Sequence, residues 1–393
     1  MTVATYQSKS RELRLAFTLS GVIALRMLGL FLILPVFMIL ARDIPGFTPL
    51  LGGLAVGIYG LTQAILQQPF GWLSDRWGRR PVLLLGLFLF ALGGVVAALA
   101  DSMLVLIMGR ALQGCGAIAG VAMALAADFT RPERRPISMA IIGLGIGGAF
   151  LVSMMLSVPL ALWLGLEGLF WLTVLFGLMG MLLILSIPRR SPLPEEPQSD
   201  ARIKMGPVWM LALSVFLLHA VMTLLFVVLP PMLLTEFAFM LDQHWKLYVP
   251  AMVGSVLIMF PILRKVGRNL SEHRMLPSAF LILALSMGLM VLDIPVAGMG
   301  LLLTTYFLGF NLLEAGMPSL LARVSGTRGR GRRMGVYSTF QFLGAFAGGV
   351  IGGALLTSLG SAAALFAAAG ACLVWAVVLN SVSKRFFLTR AQA

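Results

Sequence analysis

The stretch "GWLSDRWGRRPVLLLG" (71–86) packs Asp75, Arg76, Arg79 and Arg80 into a short hinge between two long apolar runs. Gly71 and Gly78 bracket the first of these charges, and Pro81 follows the last. So much charge in so short a break means that the chain leaves an apolar environment and re-enters it at once. Gly78 permits a backbone turn that other residues resist, Gly71 permits close helix approach, and Pro81 suits the first turn of the next helix. Cations alone would mark a membrane face. The aspartate between two spaced glycines needs a further reason.

The rest of the chain has the same character. Of 393 residues, 59% are hydrophobic and only 11% charged, and the mean hydropathy is +0.98. A soluble domain keeps roughly a quarter of its residues charged. Apolar runs fall near 17–40, 50–72, 81–100, 102–127, 136–161, 167–187, 208–234, 246–264, 275–292, 295–322, 334–358 and 360–382. Most approach or exceed the roughly 20 residues that cross a bilayer as a helix. This predicts an all-α membrane protein of twelve transmembrane helices. "PRRSPLPEEPQSDARIKMG", rich in proline and charge, separates the sixth run from the seventh. The expected domains are a six-helix bundle over 1–187, a linker over 188–207 and a second bundle with a short tail over 208–393.

Charge orients the chain. Of the 29 lysines and arginines, only Arg42 and Lys246 lie in loops opposite the hinge, and Arg26 and Arg110 lie within apolar runs. The positive-inside bias therefore predicts that both termini and the linker are cytoplasmic. A net charge of +14 spread over alternate loops is a topological signal, so a nucleic-acid partner is not expected. The polar start "MTVATYQSKSRELR" has no signal-peptide pattern. Cys115 and Cys372 supply neither metal spacing nor a disulfide framework.

The halves repeat. "MLGLFLILP" (27–35) matches "MTLLFVVLP" (222–230), with Met27/Met222, Leu30/Leu225, Phe31/Phe226, Leu34/Leu229 and Pro35/Pro230 in register. Both segments start on the same side, so this is a parallel repeat of two pseudo-symmetric six-helix bundles, an architecture suited to alternating access.

Gly71, Leu73, Asp75, Arg76, Gly78, Arg79 and Arg80 resemble the G-x-L-x-D-R-x-G-R-[RK] loop of the major facilitator superfamily. "LRMLGLFLILPVF" (25–37), "GIYGLTQAILQQPFG" (57–71), "GRALQGCGAIA" (109–119), "FNLLEAGMPSL" (310–320) and "MGVYSTFQFLGAFAGG" (334–349) resemble its YajR-type members, grouped with proton-driven drug efflux antiporters. The resemblance implies the major facilitator fold, a monomer and an inner-membrane location; the soluble domain that some members carry after the last helix is not expected here. It also implies a gating latch of Gly71, Asp75, Arg76, Gly78, Arg79 and Asp128, with Asp75 meeting the eleventh helix near Met334. The second half keeps Gly267 and Arg268 at the equivalent loop but has no acid before them.

Tyrosine and cysteine aside, four ionisable groups lie well inside apolar runs: Arg26, Arg110, His219 and Glu314, on the first, fourth, seventh and tenth. Such groups are costly in hydrocarbon and face a cavity or one another. The helices that carry them line the central cavity in the resembled fold. At about 1.5 Å per residue, Arg26 and Glu314 lie at similar depth, roughly 12–16 Å from the cytoplasmic ends. Glu314, the one interior acid, is the preferred proton-binding group, or else a member of a static ion pair. His219 is either a relay or a packed neutral imidazole. Arg110, in "GRALQG", serves proton transfer by resemblance or a structural hydrogen bond. Tyr59, Gln63, Gln67, Asn311, Tyr337 and Gln341 are candidates to line a substrate cavity.

In the fifth run, "GLGIGGAFLVSMMLSVP" (143–159), glycines 143, 145, 147 and 148 allow close packing, while Ser157 and Val158 stand where the antiporter signature prefers glycine. No HExxH, GxSxG or phosphate-binding GxxxxGK[ST] occurs, so neither an enzyme nor an ATP-driven pump is expected. The leading expectation is a secondary transporter, a proton-coupled antiporter exporting small amphipathic molecules or drugs. It needs no cofactor or metal, and its partners are protons, a small-molecule substrate and the bilayer. The alternatives are a symporter or facilitator importing a sugar or other metabolite and, more remotely, a non-transporting receptor or scaffold.

Overall fold

A computed structural model describes residues 9–187, 205–266, 272–325 and 330–387, and among them every long regular element is a helix. The linker up to Lys204, together with Gly267 and Arg268, lies outside the described residues. The helices are α1 (Lys9–Leu40), α2 (Pro49–Trp77), α3 (Arg79–Ala98), α4 (Met103–Cys115), α5 (Ala119–Phe129) and α6 (Arg135–Leu185). They continue with α7 (Gly206–Thr235), α8 (Trp245–Val266), α9 (Glu272–Leu289), α10 (Val296–Ser325), α11 (Arg330–Ser358) and α12 (Gly360–Phe387).

Two departures from helical regularity organise the first half. At 51 residues, α6 would be about 75 Å long if straight, far beyond a hydrocarbon core of about 30 Å. Gly165 interrupts it at φ 67°, ψ −174°. Contacts with α1 show that the chain reverses there. On the first arm, Ser153 and Ser157 donate to the carbonyls of Leu28 (3.2 Å) and Leu32 (2.6 Å), so this arm runs parallel to α1. On the second, a Cβ at Gly21 would meet Leu183 and one at Gly29 would meet Thr173, so the sequence order is reversed. The separate runs read at 136–161 and 167–187 are these two arms.

The fourth run differs from expectation. It breaks at 116–118 into α4 and α5, although one continuous helix is expected over 102–127. The break lies where Gly116 presses against the backbone of Gly86 in α3, so that a Cβ would strike the Gly86 carbonyl. Ten stretches among the described residues are long and apolar enough to span a membrane, and Arg274–Leu289 is a shorter apolar helix. With the two arms of α6 counted separately, these accord with the twelve runs. Trp163 (80% exposed) and Leu144 (76%) would be misplaced on a water-soluble surface and suit a hydrocarbon surround.

The chain divides into two compact units: Met1–Gly46 with Leu61–Pro197, and Phe47–Gly60 with Gln198–Ala393. In the first, Leu19, Val22, Leu83, Ile118, Val121 and Ile184 form part of an apolar core. The second includes the start of α2 because Gly53, Gly57 and Gly60 abut the backbone of α11 at Gly349, Gly353, Phe346 and Phe342. A second face of α11 packs on α7. A Cβ at Gly344 would strike the Phe216 carbonyl, one at Gly348 the Ala220 carbonyl, and one at Gly352 would crowd Leu224. The constant offset makes α7 and α11 parallel.

Lipid tails are as apolar as leucine, so helices within a bilayer associate through close packing, and small residues allow it. Of glycines 143, 145, 147 and 148, however, only Gly145 abuts a neighbour, Ser20. Among the described residues nothing lies within 4 Å of a Cβ on the other three. Close packing expected at all four is thus found at one. Gly348→Val should therefore lower the melting temperature in detergent, at an overpacking cost of about 1–3 kcal/mol or more. Gly148→Val, which meets open space, should leave the melting curve in place.

Candidate functional site

The hinge between α2 and α3 is a single residue. Gly78 takes φ 89°, in the left-handed region that favours glycine, and α3 begins immediately after it. The tight reversal folds Arg79 back over the last turn of α2. Its guanidinium pairs with Asp75, donates to Ser74 Oγ at 2.6 Å, and reaches Asp128 Oδ2 on α5 at 3.3 Å. Ser74 is fully buried and donates in turn to the Gly71 carbonyl at 2.7 Å. Sequence reading misses Ser74, although it lies inside the opening stretch.

Not every residue of the motif joins this cluster. Arg76 stacks on Trp72, with its guanidinium carbon 3.9 Å from the ring centroid. Arg80 donates to the Leu185 carbonyl at 2.7 Å and so caps the C-terminal end of α6, where a cation is favoured. Gly71 is helical, and among the described residues nothing lies within 4 Å of a Cβ placed on it. The close approach expected at Gly71 is therefore not found. Met334, on α11, belongs to the second unit.

A second ionic cluster, also missed, joins the start of α1 to the segment after α5. Glu12 is 2% exposed and pairs with Arg131 at 3.1 Å and Arg134 at 3.5 Å. Sequence reading gives those arginines a topological role alone. The i, i+3 spacing of Arg131 and Arg134 hints at a shared partner, but nothing local identifies Glu12.

Inside the first unit, two arginines are almost completely buried, at 1% exposure each. Arg26 donates to Gln63 Oε1 at 2.6 Å, and its guanidinium stands 5.8 Å from the centroid of Phe90. Arg110 donates to Gln113 Oε1 at 2.9 Å, and Gln113 Nε2 donates to Thr173 Oγ1 at 2.8 Å. Thr173 in turn donates to the Phe170 carbonyl at 2.7 Å. The chain of donors thus runs from α4 to the second arm of α6. The glycines of α3 leave room for it. A Cβ on Gly94 would lie 2.6 Å from Thr173 Oγ1, and one on Gly93 would strike the Gln113 backbone. Sequence reading misses Gln113 and Thr173. Gln67 is buried, and its Oε1 has no hydrogen-bond donor among the described residues.

The second unit holds the acid. His219 Nδ1 lies 3.1 Å from the Val215 carbonyl one turn earlier on α7. A carbonyl only accepts, so Nδ1 carries the hydrogen and a neutral ring leaves Nε2 as acceptor. Gln341 on α11 fills that role as donor, with its Nε2 at 2.8 Å. Glu314 on α10 approaches the same ring nitrogen to 3.8 Å, and its side chain is 38% exposed. Its Oε2 is buried with no hydrogen-bond donor in reach among the described residues. The Phe310 ring lies 6.0 Å from the imidazole.

The cavity candidates in this unit separate. Asn311 donates to Ser255 Oγ on α8 at 3.0 Å, and Ser255 donates to the Met252 carbonyl at 2.7 Å. Tyr337 is 4% exposed, and its hydroxyl lacks a hydrogen-bond partner among the described residues. Tyr59 is 2% exposed. The structure therefore brings His219, Glu314 and Gln341 together, whereas Asn311 is engaged with α8. No group of three or more potential metal ligands occurs among the described residues.

Ionisable groups within apolar helices are costly in hydrocarbon and mark candidate functional sites. The family model described as Major Facilitator Superfamily matches residues 19–318. The chain is 35% identical to the inner membrane transport protein YajR of Escherichia coli (strain K12) over 96% of its own length and 85% of that protein's. It is 26% identical to the multidrug resistance protein MdtH of Proteus mirabilis (strain HI4320), over 83% of this chain and 82% of that one. Among solved structures, a bacterial homolog of the human lysosomal transporter Spinster, inward-facing and unoccupied, gives a TM-score of 0.72. It has 15% identity and covers 98% of this chain and 99% of its own. A POT family transporter in complex with a thioalcohol-conjugated peptide gives a TM-score of 0.75 at 14% identity, covering 95% of this chain and 96% of its own. The charged one-residue hinge, the twelve apolar runs, the family match over residues 19–318 and the likeness to YajR over 96% of this chain lead to one conclusion: the chain belongs to the major facilitator superfamily and is a multi-pass membrane transporter of the YajR type.

Proposed function

We propose that the protein is a proton-coupled antiporter that exports small amphipathic molecules across the inner membrane, acting as a monomer with both termini in the cytoplasm. The observation that carries this reading is the pairing of Glu314 with His219. A partly exposed carboxylate with an unbonded oxygen, 3.8 Å from an imidazole nitrogen, can take up and release a proton between two helices. In this scheme a proton taken from outside is exchanged for outgoing cargo as the two bundles alternate access. One proton moving down a gradient of one pH unit supplies about 1.4 kcal/mol, enough for about a tenfold cargo gradient. The name of the MdtH relative supports drug-like cargo, and the name of YajR supports the inner membrane.

A second reading, import by symport or facilitation, draws on one feature. Ser157 occupies a place where the antiporter signature prefers glycine, and its hydroxyl is committed to the Leu32 carbonyl. Inverted vesicles loaded with an acid interior separate the two readings. The antiporter accumulates an amphipathic cationic dye in a pH-dependent manner, whereas an importing symporter does not. Glu314→Gln should abolish pH-driven accumulation while leaving binding of the dye by purified protein. Unchanged accumulation would remove Glu314 from the coupling role.

The hinge cluster is proposed to act as the latch that holds the cytoplasmic side closed in the outward-open state, with Asp75 and Asp128 sharing Arg79. Asp75→Asn and Asp128→Asn should each slow transport about tenfold, equivalent to about 1.4 kcal/mol in the barrier. Arg76→Gln, which removes only the stacking on Trp72, should change the rate less than twofold at about 0.4 kcal/mol or below. Initial rates in proteoliposomes measure both.

A further inference from the structure

We propose that Gln341 is a positioning residue that decides whether His219 and Glu314 share a proton, by occupying the one ring lone pair through which they would do so. The inference rests on the reading of Glu314 as the coupling acid and deepens it. A neutral imidazole has one acceptor nitrogen. With Nδ1–H bonded to the Val215 carbonyl, that acceptor is Nε2, and the Gln341 amide donates to it at 2.8 Å. Glu314 stands 3.8 Å from the same atom, too far for a hydrogen bond. The carboxylate is near the ring but not connected to it, because the amide is in the way.

The amide also has a second face. When the ring takes a proton, Nε2 becomes a donor and repels the amide N–H. Gln341 must then turn over to present its carbonyl oxygen, or release the nitrogen to Glu314. It cannot retreat by sliding α11. Gly344 and Gly348, one and two turns beyond Gln341, rest on the backbone of Phe216 and Ala220, on either side of His219 in the sequence. Rotation of the amide is the motion left to it. Among the described side chains, the other titratable or charged groups on the helices packed against α7 are Tyr306 and Arg323 on α10, Arg333 and Tyr337 on α11, and Cys372 on α12, beside the Glu314 of α10. A proton arriving at this pair is thus reported to α11 by the orientation of one neutral side chain.

The test is a double-substitution cycle read on the full-length protein in lipid nanodiscs with 15N-labelled histidine. The chain has three histidines, so the His219 signals are assigned by their loss in His219→Gln. With Gln341 present, Glu314→Gln should leave the Nε2 resonance of His219 within its linewidth. In Gln341→Met, which keeps the length but lacks the amide, the same change should displace that resonance by well more than a linewidth. Gln341→Leu serves as the second variant if the methionine protein does not fold. An equal displacement with and without the amide would overturn the proposal. The readout needs no substrate, so it stands apart from the vesicle assay. Glu314→Gln that transports normally sinks the coupling reading, while the resonance cycle judges Gln341 alone.

Discussion

A guanidinium cannot be buried in a bilayer-spanning bundle unless its N–H groups find acceptors, and much of the first unit is arranged around that requirement. A hydrogen bond to a charged group contributes about 1.5–3 kcal/mol, and a buried donor left without its acceptor bears the full desolvation penalty. Arg26 and Arg110, each 1% exposed, are served by glutamines, Gln63 on α2 and Gln113 one turn further along α4 itself. Gly93 and Gly94 on α3 let Gln113 and Thr173 approach from α4 and α6. Apolar packing and polar satisfaction are therefore one problem in this unit. The glycines that bring helices together also open the space through which the donors run.

Much of the fold is legible in the amino-acid order because its signals are local. Gly78 betrays a turn, since a single positive-φ residue suffices to reverse the chain between two apolar runs. The two arms of α6 can be read from their hydropathy, even though the helix is interrupted at Gly165 alone. The break between α4 and α5 is not legible, because its cause is Gly86, some thirty positions earlier on a neighbouring helix. The same distinction divides the site. Arg26, Arg110, His219 and Glu314 stand out as ionisable residues in apolar runs. Gln113, Thr173 and Ser74 do not, since a buried glutamine or hydroxyl carries no charge to mark it and its partner can lie 60 positions away. The proximity of Arg79 to Asp128 comes from family resemblance rather than spacing, as 49 positions separate them.

Charges at the helix ends also do more than orient the chain. Arg80 caps the C-terminal carbonyls of α6, Glu12 draws together Arg131 and Arg134, and Arg79 ties α2, α3 and α5. Each contact links segments far apart in the chain. A positive-inside count registers these arginines as equivalent, whereas their acceptors differ: a backbone carbonyl, a buried glutamate, a pair of aspartates. Among the described residues, the partner of Arg76 is an indole face.

With one residue between them, α2 and α3 have no slack. A loop of several residues would absorb a tilt of either helix, like a length of loose cord. Gly78 instead behaves as a stiff joint. Any swing of the hinge end of α2 must be delivered as torque to the first turn of α3, and through Arg79 to α5. Movement at this edge of the protein is consequently shared among three helices.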